Sequence, residues 1–183
     1  MMAFLEITLA TTLWIKGKDF SVGHLVKNEE LAKKYEGGSL AIFRLAPQDY
    51  HRYHSPCNGV LGTPAEIPGT LYTVNPMAIR EPEVDVYTDN KRVIWTIQSE
   101  EFGTVTMVII GAMMVGSIIL TAKEGQKINR GDEVGYFAFG GSTVVCLFEK
   151  GAVEFDADLQ ENAKKPLETL VKVRESVGIR GKK

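Results

Sequence analysis

Three histidines occur in the chain, and two of them, His51 and His54, fall within four residues in the run Asp49-Tyr50-His51-Arg52-Tyr53-His54-Ser55-Pro56. Histidine titrates near neutrality, which suits it to take and return protons in general acid–base chemistry. On a strand, positions three apart face opposite sides; on a turn or helix they converge. The pair also reads as two structural histidines satisfied by backbone groups. A metal pair is a further reading, but no third ligand of matching spacing stands out, so no metal is expected.

The second candidate is Gly140-Gly141-Ser142-Thr143, between the apolar stretches 136–139 and 144–148. As a bare tetrapeptide it is an ordinary flexible turn. A serine hydroxyl can nevertheless attack the carbonyl of the residue before it when the backbone bends enough. Gly141 suits that position, because it accepts unusual φ/ψ and puts no side chain in the way. The resulting ester can undergo β-elimination, and the new terminus then hydrolyses to a pyruvoyl group.

Such residues need a frame. Helical patterning is confined to residues 22–35, where Val22, Leu25, Val26, Leu31 and Ala32 recur near helical spacing. Ser21 offers an N-cap and Gly37-Gly38 a stop. Short apolar runs rich in branched residues predict strands over 39–45, 84–87, 92–97, 105–110, 118–122, 133–139 and 143–149. Residues 123–137, with Gly125 and Gly131 at the bends, carry the strand–turn–strand pattern of biotinyl- and lipoyl-type barrel-sandwich hairpins. No lysine sits in a carrier-like tip, so the pattern is architecture. Nothing marks a domain boundary, which leaves one β-rich α+β domain over 1–183 with few helices.

Bulk properties exclude several classes. A net charge of −2 gives no general drive toward nucleic acid. Cys57 and Cys146 lack CxxC spacing and fit reduced, structural thiols. No apolar run approaches the roughly 18 residues of a bilayer span. Residues 1–13 are apolar but short, interrupted by Glu6, and lack the basic front of a secretory signal. The tail carries Lys172, Arg174, Arg180, Lys182 and Lys183 against Glu175, which reads as a solvated terminus before a membrane-attracting one.

Longer stretches then fall into one order. Phe43-Arg44-Leu45-Ala46-Pro47-Gln48 running into the histidine motif, Tyr72-Thr73-Val74-Asn75-Pro76-Met77-Ala78, Asp89-Asn90-Lys91-Arg92-Val93, residues 111–118, residues 137–143 and Leu167-Glu168-Thr169-Leu170-Val171-Lys172 resemble phosphatidylserine decarboxylase. The resemblance runs from about residue 14 to 178, and the Gly-Gly-Ser-Thr form is similar to the eukaryotic type II branch. It implies a proenzyme that cleaves itself between Gly141 and Ser142 into a β chain (1–141) and an α chain (142–183), with Ser142 becoming the pyruvoyl cofactor. It implies His54 as the base for self-cleavage and His51 as the acid that reprotonates the substrate carbon. The pyruvoyl ketone would condense with the amine of phosphatidylserine and accept the electron pair left by departing CO₂, releasing phosphatidylethanolamine. Peripheral contact with endosomal, Golgi or vacuolar membranes and a homodimer are further implications.

The family's cleavage base is oriented by an aspartate upstream of the segment matching Trp14-Ile15-Lys16-Gly17. This sequence has no aspartate before Asp19, which stands in a different context. Losing an orienting carboxylate costs orders of magnitude in such triads. Impaired self-cleavage is therefore expected, as in a truncated or naturally short relative. Two alternatives stay open: an aromatic amino-acid decarboxylase of the tryptophan type, and an uncleaved, non-catalytic paralogue. Asn90, Lys91 and Arg92 receive no role.

Overall fold

The computed structural model describes residues 1–4, 21–72, 86–112, 117–138, 142–165 and 167–182. The expectations that rest on Trp14–Gly17, Asp19, residues 73–78, residues 84 and 85, Phe139, Gly140 and Gly141 lie outside the described residues.

Four strands make the centre: β2 (Ser39–Leu45), β6 (Arg92–Ser99), β7 (Gly103–Ile110) and β11 (Ser142–Phe148). They are apolar at nearly every position, as strands covered on both faces must be. With β1 (Met2–Phe4), β4 (Gly59–Leu61), β5 (Ala65–Ile67) and β9 (Lys127–Ile128) they form an eight-stranded sheet. Its order is β1-β2-β11-β7-β6-β4-β9, with β5 also paired to β6. Every pairing in it is antiparallel.

Side-chain alternation sends two sets of residues to opposite faces. Ile42, Ile94, Val108, Ile110, Val145 and Leu147 share a core with α1 (Val22–Val26), α2 (Glu29–Lys33) and Tyr87 of α3 (Val86–Asp89). Ala41, Trp95, Met107, Val144, Cys146 and Phe148 share the other core with a second layer. That layer holds the three-stranded sheet β3-β10-β8, from β3 (Arg52–His54), β10 (Glu133–Ala138) and β8 (Ser117–Leu120). It also holds β12 (Val153–Phe155) paired to β13 (Gly178–Arg180), and α4 (Ala157–Lys164). The fold is thus α+β and β-rich, with α1–α3 on one face and the small sheets with α4 on the other.

Three local expectations change. The helix expected over 22–35 is two helices, because Lys27 enters the left-handed region (φ 51°) and Asn28 caps a fresh start by accepting from Leu31 N at 3.0 Å. Ser21 caps the first, accepting from His24 N at 3.0 Å. The strand expected over 84–87 is helical in its described part, Val86–Asp89. The pattern over 123–137 turns at Gly131 (φ 83°), but its strands enter different sheets: β9 pairs with β4, while β10 pairs with β3 and β8.

Candidate active site

β11 begins at Ser142, opposite Leu45 on β2. Ser142 is fully buried (0% exposed), and its Oγ has no hydrogen-bond partner among the described residues. A buried hydroxyl without a partner costs free energy, so it calls for an explanation. Alternation puts Ser142 on the same face as Val144, Cys146 and Phe148, toward the small sheet. Thr143 turns to the helix-covered face, and its buried Oγ1 also lacks a partner.

The small sheet carries the histidine motif. β10 runs from Glu133 to Ala138, three residues short of Ser142. Tyr136 lies opposite Arg52 and Glu133 opposite His54, while Phe137 N donates to the His51 carbonyl at 2.9 Å. His51 therefore sits at the end of β10 that leads to Ser142, and His54 at the other end. Three extended residues separate them by about 10 Å. The inner face of β3 presents Tyr53, whose ring meets Phe137 edge-on at 5.1 Å between centroids. Gly135 leaves the space over which Tyr53 reaches the Ile119 carbonyl (3.0 Å), since a Cβ there would collide with the Tyr53 hydroxyl. The outer face presents Arg52, stacked over Tyr136 at 5.1 Å and bound through Nη1 to both Glu133 oxygens at 2.7 Å. That bond holds the Glu133 carboxyl below its usual range.

Hydrogen bonding distinguishes the two histidines. His51 Nδ1 lies 2.6 Å from the Asp49 carbonyl, which can only accept, so Nδ1 carries the proton. In the neutral ring Nε2 is then an acceptor, and it is buried without a partner among the described residues. His54 Nδ1 likewise donates to the Gly131 carbonyl at 2.9 Å, but its Nε2 is taken by the Tyr50 hydroxyl at 2.9 Å. Among the described residues nothing meets the sheltered His51 lone pair, whereas Tyr50 occupies that of His54. Sequence reasoning missed the Asp49 carbonyl and Tyr50 as orienting groups, although both lie inside the motif.

The remaining sequence candidates are structural. Asn90 (0% exposed) bridges the Tyr72 and Gly111 carbonyls through Nδ2 at 2.8 Å each. Arg92 (1% exposed) donates to the carbonyls of Leu25 and His24 in α1 and of Thr88 and Asn90 around α3. Both, assigned no role from the sequence, are buried braces. Burial pushes the Cys57 thiol up to about 11 and the Cys146 thiol up to about 12, which keeps both from acting as thiolates near neutrality.

The model of the phosphatidylserine decarboxylase family matches residues 1–178. The chain is 52% identical over 179 residues to phosphatidylserine decarboxylase proenzyme 2 of rice, covering 98% of the chain and 29% of that protein. It is 53% identical over 178 residues to phosphatidylserine decarboxylase proenzyme 3 of fission yeast, covering 97% of the chain and 18% of that protein. Against the phosphatidylserine decarboxylase proenzyme of Chlamydia muridarum it is 44% identical over 179 residues, covering 98% of the chain and 59% of that protein. The chain thus spans less than a third of the plant and fission-yeast relatives.

Proposed function

The chain belongs to the phosphatidylserine decarboxylase family, and on that premise we propose that it cuts itself before Ser142 and decarboxylates phosphatidylserine to phosphatidylethanolamine. The observation that supports this is that Ser142 Oγ and His51 Nε2 are both buried with no partner among the described residues, His51 lying at the end of β10 that precedes Ser142 in sequence.

His51 Nε2 takes the hydroxyl proton as Ser142 Oγ bonds to the Gly141 carbonyl carbon, and the Gly141–Ser142 amide breaks to an ester. Loss of the Ser142 α proton then expels the Gly141 carboxylate. Water releases the nitrogen as ammonia and leaves a ketone. The Asp49 carbonyl fixes the His51 tautomer but, being uncharged, steadies the imidazolium less than a carboxylate does. Slow cleavage is the expected consequence.

The site fits a pyruvoyl group at residue 142: the position is fully buried on the β11 face that carries Val144, toward the core that also holds Tyr53 and Phe137. Bound there, the group supplies an electron sink for decarboxylating an amino acid headgroup. Full burial of residue 142 would keep water from it. Histidine protons serve the later step; we assign that role to His54, partly exposed and linked to Tyr50. This reverses the division implied by the resemblance. No described helix is long and apolar enough to cross a membrane. Peripheral contact with endosomal, Golgi or vacuolar membranes and a homodimer complete the reading.

Intact-mass measurement tests it. Two pieces meeting at Gly141/Ser142, the C-terminal one blocked by a pyruvoyl group, are expected. Ser142→Ala should give one uncut species. Turnover is then compared on phosphatidylserine and tryptophan side by side. A single full-length species from the parent chain supports the non-catalytic paralogue, and turnover of tryptophan alone overturns the lipid substrate.

A further inference from the structure

Residues 167–172 cross the surface as an irregular strap that ends in a turn at Val173 and Arg174 (φ 65°). Leu170 is 93% exposed, Leu167 52% and Val173 54%, while Val171 between them packs against the core. Single exposed leucines are ordinary, but three apolar side chains on one short segment are not. The strap is held firmly. Leu167 N donates to the Asn162 carbonyl at 3.0 Å and Thr169 N to the Met1 carbonyl at 2.9 Å. Lys172 N donates to Glu175 Oε2 at 2.6 Å, and Arg174 Nη2 to the Gly131 carbonyl at 3.1 Å. Leu170 is therefore presented by a fixed backbone.

Charge narrows what could cover it. Between residues 161 and 175 stand Lys164, Lys165, Lys172 and Arg174 against Glu161, Glu168 and Glu175, with Lys165 paired to Glu161 at 2.6 Å, so Lys172 and Arg174 are the basic side chains beside the ridge. Glu168 is itself bound by Arg44, through Nε at 3.0 Å and Nη2 at 2.6 Å. An apolar ridge flanked by basic side chains matches the boundary of an anionic bilayer, where apolar groups enter the acyl region and Lys or Arg meet lipid phosphates.

The strap also ties to elements that carry candidate residues. Arg44, its anchor on one side, lies opposite Thr143 in the sheet. Gly131, its anchor on the other, accepts from both Arg174 and His54. We propose that residues 167–174 dock the protein on an anionic phospholipid surface. The proposal rests on the lipid-decarboxylase reading for the partner's chemistry.

The test uses the full chain carrying Ser142→Ala, so neither cleavage nor turnover enters. Flotation is measured with vesicles of phosphatidylcholine alone and of phosphatidylcholine mixed with phosphatidylglycerol, an anionic lipid that is not the substrate. Binding to the mixed vesicles is expected, weakening as salt rises from about 0.1 M to about 1 M and the screening length falls from about 10 Å to about 3 Å. Lys172→Ala should lower partitioning about fivefold, the share of one basic side chain at an anionic surface. Leu170→Asp should lower it at least about tenfold, through lost insertion and added repulsion. Because Leu170 is almost wholly exposed, that variant should keep its melting temperature. Binding of both variants within about twofold of the parent, equal binding to neutral vesicles, or dissociation by Leu170→Asp of a dimer in lipid-free buffer with vesicle binding intact would each overturn the proposal. If vesicles bind as expected while the uncut parent shows no turnover, the docking surface stands and the decarboxylase reading fails.

Discussion

Replacing His51 by alanine separates chemistry from folding. The side chain makes one hydrogen bond, to the Asp49 carbonyl in an exposed turn, so the stability loss should stay near about 1 kcal/mol. A positioned base contributes about 10²–10⁴-fold to a proton-transfer step, or about 3–5 kcal/mol of barrier. His51→Ala should therefore fold and slow cleavage by two or more decades. His54→Ala gives up two hydrogen bonds, to Gly131 and from Tyr50. Its stability should fall by about 1–3 kcal/mol, with cleavage slowed less than about tenfold. The assay follows purified precursor by intact mass over time, with urea unfolding of the same substitutions in a Ser142→Ala background. Tyr50→Phe is the discriminating control, because it removes the donor to His54 Nε2. If His54 were the base, freeing that lone pair would speed cleavage; with His51 as base the rate is unchanged. The reasoning is refuted if His51→Ala cleaves within about threefold of the parent, or if His54→Ala is the slower of the two.

Two other outcomes can be measured directly. Arg92→Met strips the donors from four carbonyls around α1 and α3, and chemical denaturation should show a loss of about 3–5 kcal/mol; a loss below about 1 kcal/mol would mean that the brace is not structural. Arg44 holds the Glu168 carboxyl below its ordinary value of 4.5. A lowered folded-state pKa contributes stability above the unfolded value and loses it as pH falls through the folded value, so the parent should lose melting temperature more steeply below about pH 4.5 than Glu168→Gln does. Parallel curves for the two proteins would contradict the pairing.

The long strands were readable because both faces are buried: 92–97, 105–110 and 143–149 are apolar almost throughout, and the sheet needs them so. The two- and three-residue strands β3, β4, β5, β9, β12 and β13 are too short for a period to show. Helix α4 was missed because Leu159 is its one buried residue, leaving no apolar stripe to read. The 22–35 helix was overextended because apolar spacing does not register a left-handed residue at Lys27. At the site, residue types named Ser142, His51 and His54, and strand alternation already allowed the histidines to face apart. What sequence could not supply was which ring nitrogen stays vacant. That depends on the Asp49 carbonyl, Tyr50 and the carbonyl of Gly131, distant in sequence, and only the fold brings that last group to the motif.

Strand β11 starts at the residue after the proposed cut, and its neighbours on either side, β2 and β7, belong to the other piece. All seven of its residues are buried. Scission there would leave two polypeptides sharing one hydrogen-bonded interior, with a central strand donated by the shorter. Before the cut, that strand finds its place by closing a loop within one chain. Afterwards the same pairing becomes a meeting of two molecules, dependent on their concentration. Maturation would thus be a one-way step in folding as well as in chemistry. A mature protein once unfolded and diluted would not regain its shape at the precursor's rate, and its working lifetime would be set by how slowly it opens.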